Sequence, residues 1–436
     1  MAAVVGFFSV CTVVAAPPGF ARPRSDELPV GPVYLQNVWN GYNAAQSGDS
    51  ALARRPKGNE DQQQWRIEAS GTGHVLRNTT TGNCLTAPSE PGPVGVGACS
   101  QQAVFGVEST GPGRYRLTRA SGSLSLQPGE NGSFTDRLII GDDSSATSWY
   151  LTPVTPQRAP MPADPRLDQV TFLTAHNAYA NHADGNFATF PVSWFPNQRK
   201  GISSQLQDGV RGFALDIHPT ARGAAMCHNS CDGVNNPVLL RTALQRMADF
   251  LKPCPDQFVT VFLEDYTSAA QLEAEIRQVP GLQEMLFRPD REGVRQQGWP
   301  RMSELRNSRR QLLILTSAGP GREEFGVMNE RDWTVSNYWS MGLPLTDSDW
   351  SCYAWVQGLP LTKDDEPFRR LFVMSHFRDA PVAPTVANDN AKLANRLNNF
   401  CEPAARKKPT YISVDMHDLG DPAAVVREAN TYITNY

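Results

Sequence analysis

The order of hydrophobic and polar positions divides the chain into two parts with different periodicities. Residues 30–154 contain short alternating runs of apolar and polar residues separated by Gly, Ser and Thr, which predicts a succession of short strands. From residue 167 onward, apolar strand-like runs alternate with segments of helical periodicity. We therefore expect an all-β domain followed by an α/β domain. The prolines of residues 155–166 predict a stiff, extended linker between them.

The second part contains six strand candidates and four helix candidates. The strand candidates are residues 170–175, 212–217, 258–263, 311–316, 371–375 and 410–414. The helix candidates are residues 239–251, 269–278, 388–400 and 423–432. This alternation over residues 167–436 favours a TIM-type (β/α) barrel, with a doubly wound sheet as the alternative.

A weak internal repeat runs through the first part. Trp65, Phe105 and Trp149 end successive units and lie 40 and 44 residues apart. Three units of this size resemble the β-trefoil of ricin-type lectins, whose Gln-x-Trp signature is present at residues 63–65. We expect a β-trefoil at residues 30–154 with these aromatic side chains in its core. The resemblance implies glycans as ligands, and a purely structural domain is the alternative.

Composition and the N-terminus bear on compartment and partners. A net charge of −4 gives no general argument for binding nucleic acid, and we expect none. The apolar run of residues 2–16 is typical of the hydrophobic region of a signal peptide, with cleavage near Ala16 or Ala21. A buried strand is the alternative. We expect residues 1–21 to be a signal peptide and the protein to be secreted.

Eight cysteines fit an oxidising compartment. Cys84 and Cys99 are close enough in sequence to close one local loop. Five further cysteines of the mature chain leave one thiol unpaired: Cys227, Cys231, Cys254, Cys352 and Cys401. A zinc site formed by Cys227, Cys231 and Cys254 with His228 is the alternative.

Polar side chains follow the predicted strands of the second part. His176 and Asn177 end the first strand, Asp216 ends the second and Glu264 ends the third, while His228 follows shortly after the second. In a barrel of parallel strands, such residues meet at one end. Two histidines can act as base and acid, and amide and carboxylate oxygens can hold a hard cation. This combination predicts phosphodiester cleavage.

Residues 167–435 resemble the catalytic X-type barrel of phosphatidylinositol-specific phospholipase C in its secreted, single-barrel form. The resemblance rests on the His-Asn-x-Tyr of residues 176–179, on GVRGFALDIH at residues 209–218 and on FLEDY at residues 262–266. It implies that His176 is the general base and His228 the general acid. Asp415, which ends the last strand, is a candidate to orient His176. An ordinary strand-end aspartate is the alternative for Asp415.

The resemblance also implies a Ca²⁺ site formed by Asn177, Asp216 and Glu264. The calcium-dependent enzymes usually carry a further acid where this chain has Ala214, which predicts weak affinity. We assign Arg211 and His218 to substrate binding. For Asp216 and Glu264, the alternative to calcium binding is a structural ion pair with Arg211 or a neighbour.

The predicted function is therefore that of a secreted phosphoric diester hydrolase or lyase acting on phosphatidylinositol or a related phospholipid. The membrane surface is the expected partner, contacted through the aromatic side chains of a loop after the first strand: Phe187, Phe190, Trp194 and Phe195. Aromatic packing beneath that loop is the alternative. Two rival functions are a phosphodiesterase for a glycerophosphodiester or sphingolipid, and a catalytically weak carbohydrate-binding adhesin.

Overall fold

The computed structural model describes residues 28–57, 61–111, 113–130, 133–141, 146–320, 322–365 and 367–436. The predicted signal peptide, residues 1–21, lies outside these residues. No described helix is both long and apolar enough to cross a membrane.

The first part folds into one closed antiparallel β-barrel. Its strands are β1 (Pro32–Asn37), β2 (Asn43–Ser47), β3 (Ser50–Arg54), β4 (Gln64–Ser70), β5 (Gly73–Asn78), β6 (Cys84–Thr86), β7 (Gly92–Pro93), β8 (Gly95–Gly97), β9 (Val104–Gly111), β10 (Arg114–Arg119), β11 (Gly122–Pro128), β12 (Phe134–Gly141) and β13 (Ser148–Pro153). They form a single hydrogen-bonded sheet that closes through the β10–β13 and β3–β12 pairings. The predicted β-trefoil is therefore wrong.

The repeat that led to the trefoil marks core positions. Trp65, Phe105 and Trp149 are fully buried in one hydrophobic cluster. The indole nitrogens of Trp65 and Trp149 donate to the carbonyl oxygens of Ala44 and Leu124, each at 2.9 Å. Regularly spaced aromatic residues fill the interior of any closed β structure, so their spacing does not distinguish a trefoil from another barrel.

The second part is an α/β domain whose first strand is β14 (Gln157–Pro160). Its further strands are β15 (Phe172–Ala175), β16 (Val210–Thr220), β17 (Gly223–Met226), β18 (Val259–Asp265), β19 (Leu312–Thr316), β20 (Val327–Asn329), β21 (Thr334–Ser336), β22 (Asp364–Asp365), β23 (Phe368–Arg369), β24 (Leu371–His376), β25 (Tyr411–Val414) and β26 (Tyr432–Asn435). Its helices are α1 (Ile202–Gln207), α2 (Leu240–Leu251), α3 (Ala269–Arg277), α4 (Leu282–Met285), α5 (Val294–Gln297), α6 (Met302–Ser308), α7 (Glu330–Trp333), α8 (Ala383–Asn390), α9 (Leu393–Arg396), α10 (Glu402–Ala405) and α11 (Pro422–Ala429).

The parallel strands form a curled sheet in the order β20-β19-β18-β16-β15-β25-β24-β21. Its two edge strands, β20 and β21, are not hydrogen-bonded to each other in the described residues, so a closed TIM-type barrel is not established and that prediction is corrected. Each edge strand has only three residues, and the four-residue helix α7 is all that separates them in sequence. So short a connection leaves no room for the crossover that parallel neighbours need.

Helices cover the outside of the sheet because their apolar residues recur on one face. In α2 the buried residues are Leu240, Ala243, Leu244, Met247, Ala248 and Leu251. Ser268 begins α3 with a capping box in which its side chain accepts from the backbone of Gln271. The polar strand-end residues gather at the carboxyl ends of the central strands.

The predicted linker is an ordered part of the second domain. Within it, β14 pairs with the C-terminal strand β26 in antiparallel register. The two domains also touch directly, because the amide of Gln36 donates to the carbonyl oxygen of Ala404 at 2.7 Å and the guanidinium of Arg406 lies over the ring of Tyr150.

Within the described residues there are three disulfides: Cys84–Cys99, Cys227–Cys231 and Cys352–Cys401. The first confirms the predicted local loop. Cys254 is buried and is the unpaired thiol among the described cysteines. Because Cys227 and Cys231 are bonded to each other, the alternative zinc site is wrong.

Candidate active site

The carboxyl ends of four neighbouring strands bring the predicted site residues together. In the order β18, β16, β15 and β25, they carry Glu264, Asp216, His176 with Asn177, and Asp415. Asp216 and Glu264 are direct neighbours in the β16–β18 register. Parallel strands end at the same edge of a sheet, which explains this convergence.

His176 is held by Asp415. Its Nδ1 lies 2.9 Å from Oδ1 of Asp415, a carboxyl group that is almost fully buried. The ring of Phe377 stacks on the imidazole with 3.6 Å between centroids and an interplanar angle of 6°. With Nδ1 directed at the carboxylate, Nε2 is the ring nitrogen available to a substrate.

A loop after β15 supports this pair from the other side. The amide nitrogen of Asn197 donates to Oδ1 of Asp415 at 2.9 Å. Gln198 is fully buried, and its amide donates to the carbonyl oxygens of His176 and Val414 at 2.8 Å and 3.0 Å. Gln198 therefore ties the end of β15 to the end of β25.

His228 enters the same site from a short disulfide loop. β17 turns back along β16, and the Cys227–Cys231 bond closes the four-residue interval that carries the histidine. The amide nitrogen of Asn177 lies 3.3 Å from Nδ1 of His228, which joins the second histidine to the residue after the first. Burial and the positive charge that His176 can carry lower the pKa of His228.

Asp216 and Glu264 form a pair of carboxyl groups beside the histidines. Burial, and then the negative charge of Glu264, raise the pKa of Asp216 to about 7. Tyr179 donates to Oδ2 of Asp216 at 2.9 Å, and Tyr266 donates to Oε1 of Glu264. Each carboxyl group has a second oxygen that these two bonds do not use.

The oxygen atoms of these side chains fit a hard cation that takes only a few of its ligands from the protein. Two carboxyl groups that repel each other and one amide, that of Asn177, provide oxygen ligands of the kind Ca²⁺ prefers. The described residues contain no cluster of three or more His, Cys, Asp or Glu side chains with metal-site geometry. A cation here would therefore keep most of its ligands as water or substrate oxygens.

Arg211 does not lie in the site, and its assignment to substrate binding is corrected. Its guanidinium donates to Gln257 at 2.8 Å and lies over the ring of Phe250 in α2, on the outside of the sheet. Arg211 is five residues before Asp216, and side chains an odd number of residues apart on a strand point to opposite faces. The same geometry excludes the alternative ion pair with Asp216 or Glu264.

His218 lies on the same face of β16 as Asp216, at the edge of the site. Its ring stacks on Tyr266 with 4.5 Å between centroids. Burial lowers the pKa of His218, so the ring is neutral near pH 7. Its Nε2 is buried and has no hydrogen-bond partner in the described part of the chain.

Five supporting residues were not predicted from the sequence: Tyr179, Asn197, Gln198, Tyr266 and Phe377. Tyr179 and Tyr266 have a local signal, because they end the His-Asn-x-Tyr and FLEDY motifs. Asn197 and Gln198 lie in a loop without periodicity, and Phe377 follows a strand far along the chain. Their contacts depend on tertiary structure alone.

Comparisons with known proteins agree with this site at the level of the family. The family described as PI-PLC X 1 matches residues 165–430. A PI-PLC X domain-containing protein of Arabidopsis thaliana is 25% identical over 263 residues, 59% of this chain and 60% of the relative, so the chain spans about three fifths of that relative's length. An uncharacterized secreted protein of Arthroderma benhamiae is 22% identical over 363 residues, 77% of this chain and 78% of the relative.

Among solved structures, a phosphatidylinositol-specific phospholipase C of Staphylococcus aureus is 13% identical, covers 61% of this chain and 93% of its own, and has a TM-score of 0.41. The family match spans well over half of the sequence and contains every residue of the site described above. The chain belongs to the PI-PLC X family.

Proposed function

We propose that this protein is a phosphodiesterase of the phospholipase C type that cleaves phosphatidylinositol or a related phospholipid. The observation that carries the proposal is the joint position of His176, bound to a buried Asp415, and His228 in one site. Such a pair can remove one proton and deliver another within a single displacement at phosphorus. Membership of the PI-PLC X family supports the same class of reaction.

In the proposed reaction, Nε2 of His176 accepts the proton of the inositol 2-hydroxyl. The oxygen so released forms a bond to the neighbouring phosphorus, and the bond from phosphorus to the diacylglycerol oxygen breaks. His228 gives its proton to that leaving oxygen. The products are a cyclic inositol phosphate and diacylglycerol. The lowered pKa of His228 makes its protonated ring a stronger acid toward the leaving group.

We propose Ca²⁺ as the cofactor, with Asn177, Asp216 and Glu264 as its protein ligands. When bound, the ion would supply positive charge that stabilises the negative charge of the phosphate. The position of Asp216 supports this assignment: burial, and then the charge of the adjacent Glu264, raise the pKa of its carboxyl group, and a bound cation would offset both effects.

The test is the release of inositol cyclic phosphate from phosphatidylinositol vesicles with CaCl₂ present. We expect His176→Ala and His228→Ala each to lower kcat at least about 100-fold, the usual contribution of a general acid or base. His74→Ala, on strand β5 of the other domain, is the matched control and should keep full activity. Absence of cleavage by the wild type, or full activity of His176→Ala, would refute the proposal.

A different phosphodiester substrate is the second candidate, favoured by one feature of the site. No Lys or Arg in the described chain is a hydrogen-bond or ion-pair partner of His176 or His228, and the lowered pKa of His218 leaves that ring uncharged. Such a site offers little positive charge with which to bind the inositol head group, which is rich in hydroxyl groups and carries the phosphate. A panel of phosphatidylinositol, glycerophosphodiester and sphingomyelin, compared by kcat/KM, would separate these substrates.

We propose that a phospholipid surface is the partner of the loop after β15. Phe190 and Trp194 are about 70% exposed and pack edge to face, while Phe195 is 45% exposed. Phe187 is buried, so for this residue the alternative prediction, aromatic packing beneath the loop, applies. Exposed aromatic side chains of this kind bind at the lipid interface. Trp194→Ala should weaken sedimentation with phosphatidylcholine vesicles; unchanged binding would contradict the assignment.

Secretion is part of the same proposal. Three disulfides are typical of proteins that fold in an oxidising compartment, and the relative from Arthroderma benhamiae is named a secreted protein. Expression in a secreting host should deliver the protein to the medium, cleaved near Ala16 or Ala21. Retention of residues 1–21 on the mature protein would contradict it.

Carbohydrate binding has one observation in its favour. A cleft of about 1020 Å³ lies between the barrel and the α/β domain, and the residues that line it include Tyr42, Trp350, Gln46, Asp136 and Asp349. Rings with a few polar groups are typical of sites for small polar ligands. A glycan array, repeated with Trp350→Ala, tests this role independently of the phosphodiesterase assay.

A further inference from the structure

One loop supports both histidines of the site. This loop, residues 187–198, lies in the connection between β15 and α1 and carries the exposed aromatic side chains. At the start of this loop, the carbonyl oxygen of Phe187 accepts the backbone N–H of His228 at 2.8 Å. At its end, Asn197 contacts the His176–Asp415 pair directly.

Asn197 is buried against that pair. Its Nδ2 donates to Oδ1 of Asp415 at 2.9 Å and lies 3.3 Å from Nδ1 of His176. The other carboxylate oxygen, Oδ2, is buried and has no hydrogen-bond partner in the described residues. The hydrogen bonds that hold this buried carboxylate therefore come from two donors, His176 and Asn197, at one oxygen.

The backbone of Asn197 holds the same carboxylate in place. Its carbonyl oxygen accepts the N–H of Met416 at 2.7 Å. Met416 directly follows Asp415, and its backbone is in the left-handed region with φ of 41°. A residue other than glycine adopts this conformation only at an energetic cost. The contact with Asn197 stabilises this turn at the end of β25 and so fixes the direction of the aspartate.

The position of the amide decides which nitrogen of His176 carries the proton. While Asn197 donates to Asp415, the imidazole donates its own Nδ1–H to the same oxygen, and Nε2 is free to act as a base. An amide that donated to Nδ1 instead would leave the proton on Nε2. That tautomer cannot accept a proton from a hydroxyl group at Nε2.

We propose that Asn197 is a positioning residue that fixes Asp415 and, through it, the reactive tautomer of His176. The proposal rests on the proposed function of His176 as a base. Asn197 does not touch the substrate in this scheme. It acts by holding the carboxylate that holds the imidazole.

Two substitutions separate positioning from packing. Asn197→Ala removes the donor, and we expect kcat on monomeric short-chain phosphatidylinositol to fall about 10- to 100-fold with KM nearly unchanged, the range for a hydrogen bond to a charged group. Asn197→Asp keeps the size of the side chain but presents a carboxylate to Asp415. If positioning is the role, Asn197→Asp is less active than Asn197→Ala. An Asn197→Asp variant as active as Asn197→Ala, or more so, would overturn the proposal.

A second measurement needs no substrate and therefore distinguishes this proposal from the proposed function. The Nδ1 proton of His176 should give a downfield NMR signal, identified by its loss in His176→Gln. We expect Asn197→Ala to move that signal and to speed its exchange with water. An unchanged position and exchange rate would refute the role of Asn197 even in a protein without activity. A changed signal in an inactive wild type would leave the positioning role supported and refute the reaction instead.

The control is Asn186→Ala. This asparagine precedes the loop, is exposed and donates to the carbonyl oxygen of Asn235, away from both histidines. It should leave kcat and the NMR signal unchanged. All comparisons use variants with an intact thermal unfolding transition, and Asn197→Ser replaces Asn197→Ala if the alanine variant does not fold, with the same ranking expected against Asn197→Asp.

Discussion

Asp216→Asn tests the carboxyl pair of the site through the stability of the folded protein. Asp216 is buried and lies beside Glu264 in the sheet register. Burial and the charge of Glu264 raise the pKa of this carboxyl group from 3.8 to about 7. The asparagine variant keeps an acceptor for the hydroxyl group of Tyr179 and removes the ionisable group.

The sign and size of the effect follow from that pKa. In the unfolded chain Asp216 loses its proton near its ordinary pKa, while in the folded protein it keeps the proton until about pH 7. The folded state therefore binds more protons between these two values, and its stability falls as the pH rises through that window. The pKa difference corresponds to about 4 kcal/mol as an upper limit, at about 1.4 kcal/mol for each tenfold change in proton affinity.

Urea unfolding at pH 5 and pH 8, with EDTA and then with CaCl₂, measures this effect. With EDTA, we expect the wild type to lose up to about 3 kcal/mol more stability between pH 5 and pH 8 than Asp216→Asn loses, because about two of the three pH units of that window lie above pH 5. Calcium should restore the wild type at pH 8 and leave the variant unchanged, because the ion offsets the repulsion. Asp136→Asn, in an exposed ion pair with Arg54, is the control and should follow the wild type.

The reasoning is refuted if Asp216→Asn and the wild type show the same pH dependence with EDTA. Equal stabilisation of both proteins by CaCl₂ would instead show that calcium binds elsewhere. The two outcomes are separate, because the first concerns the ionisation of one carboxyl group and the second concerns the cation.

Three further substitutions test other parts of the structure. Asp415→Asn should lower kcat about 10- to 100-fold in the vesicle assay while the protein stays folded, because the charged partner of His176 is lost; full activity would contradict its role. Cys231→Ser should lower kcat at least about 10-fold with little change in melting temperature, because it opens only the short loop of His228. Trp65→Ala should cost about 3–5 kcal/mol in urea unfolding without changing kcat of the folded protein, because this side chain is fully buried in the other domain.

The sequence predicted the strands of the second domain well because their pattern is local. Six apolar runs became β15, β16, β18, β19, β24 and β25 with small shifts at their ends. The prediction of convergence followed from parallel strands alone, because such strands end together. The closure of the sheet was not predictable, since it depends on whether the two three-residue edge strands β20 and β21 pair.

In the first domain the sequence predicted buried residues but not how the strands pair. Its aromatic repeat identified buried residues, and Trp65, Phe105 and Trp149 do fill one core. Strand pairing in an antiparallel sheet is set by turns and by contacts distant in sequence, such as β3 with β12 and β10 with β13. A repeat of buried positions constrains the interior of such a domain and leaves the order of its strands open.

Arg211 and Asn197 together explain where sequence reasoning about the site succeeds and where it does not. Arg211 was assigned to the site because it lies in a recognised motif, and the alternation of side chains along β16 already places it on the other face from Asp216. That error is avoidable from the sequence. Asn197 has no such signal, because its contact with Asp415 spans 218 residues and is made only when β15 and β25 pair. His176 and Asp415 follow strand ends and were therefore predictable, whereas Asn197 comes from a loop that crosses the ends of the paired strands.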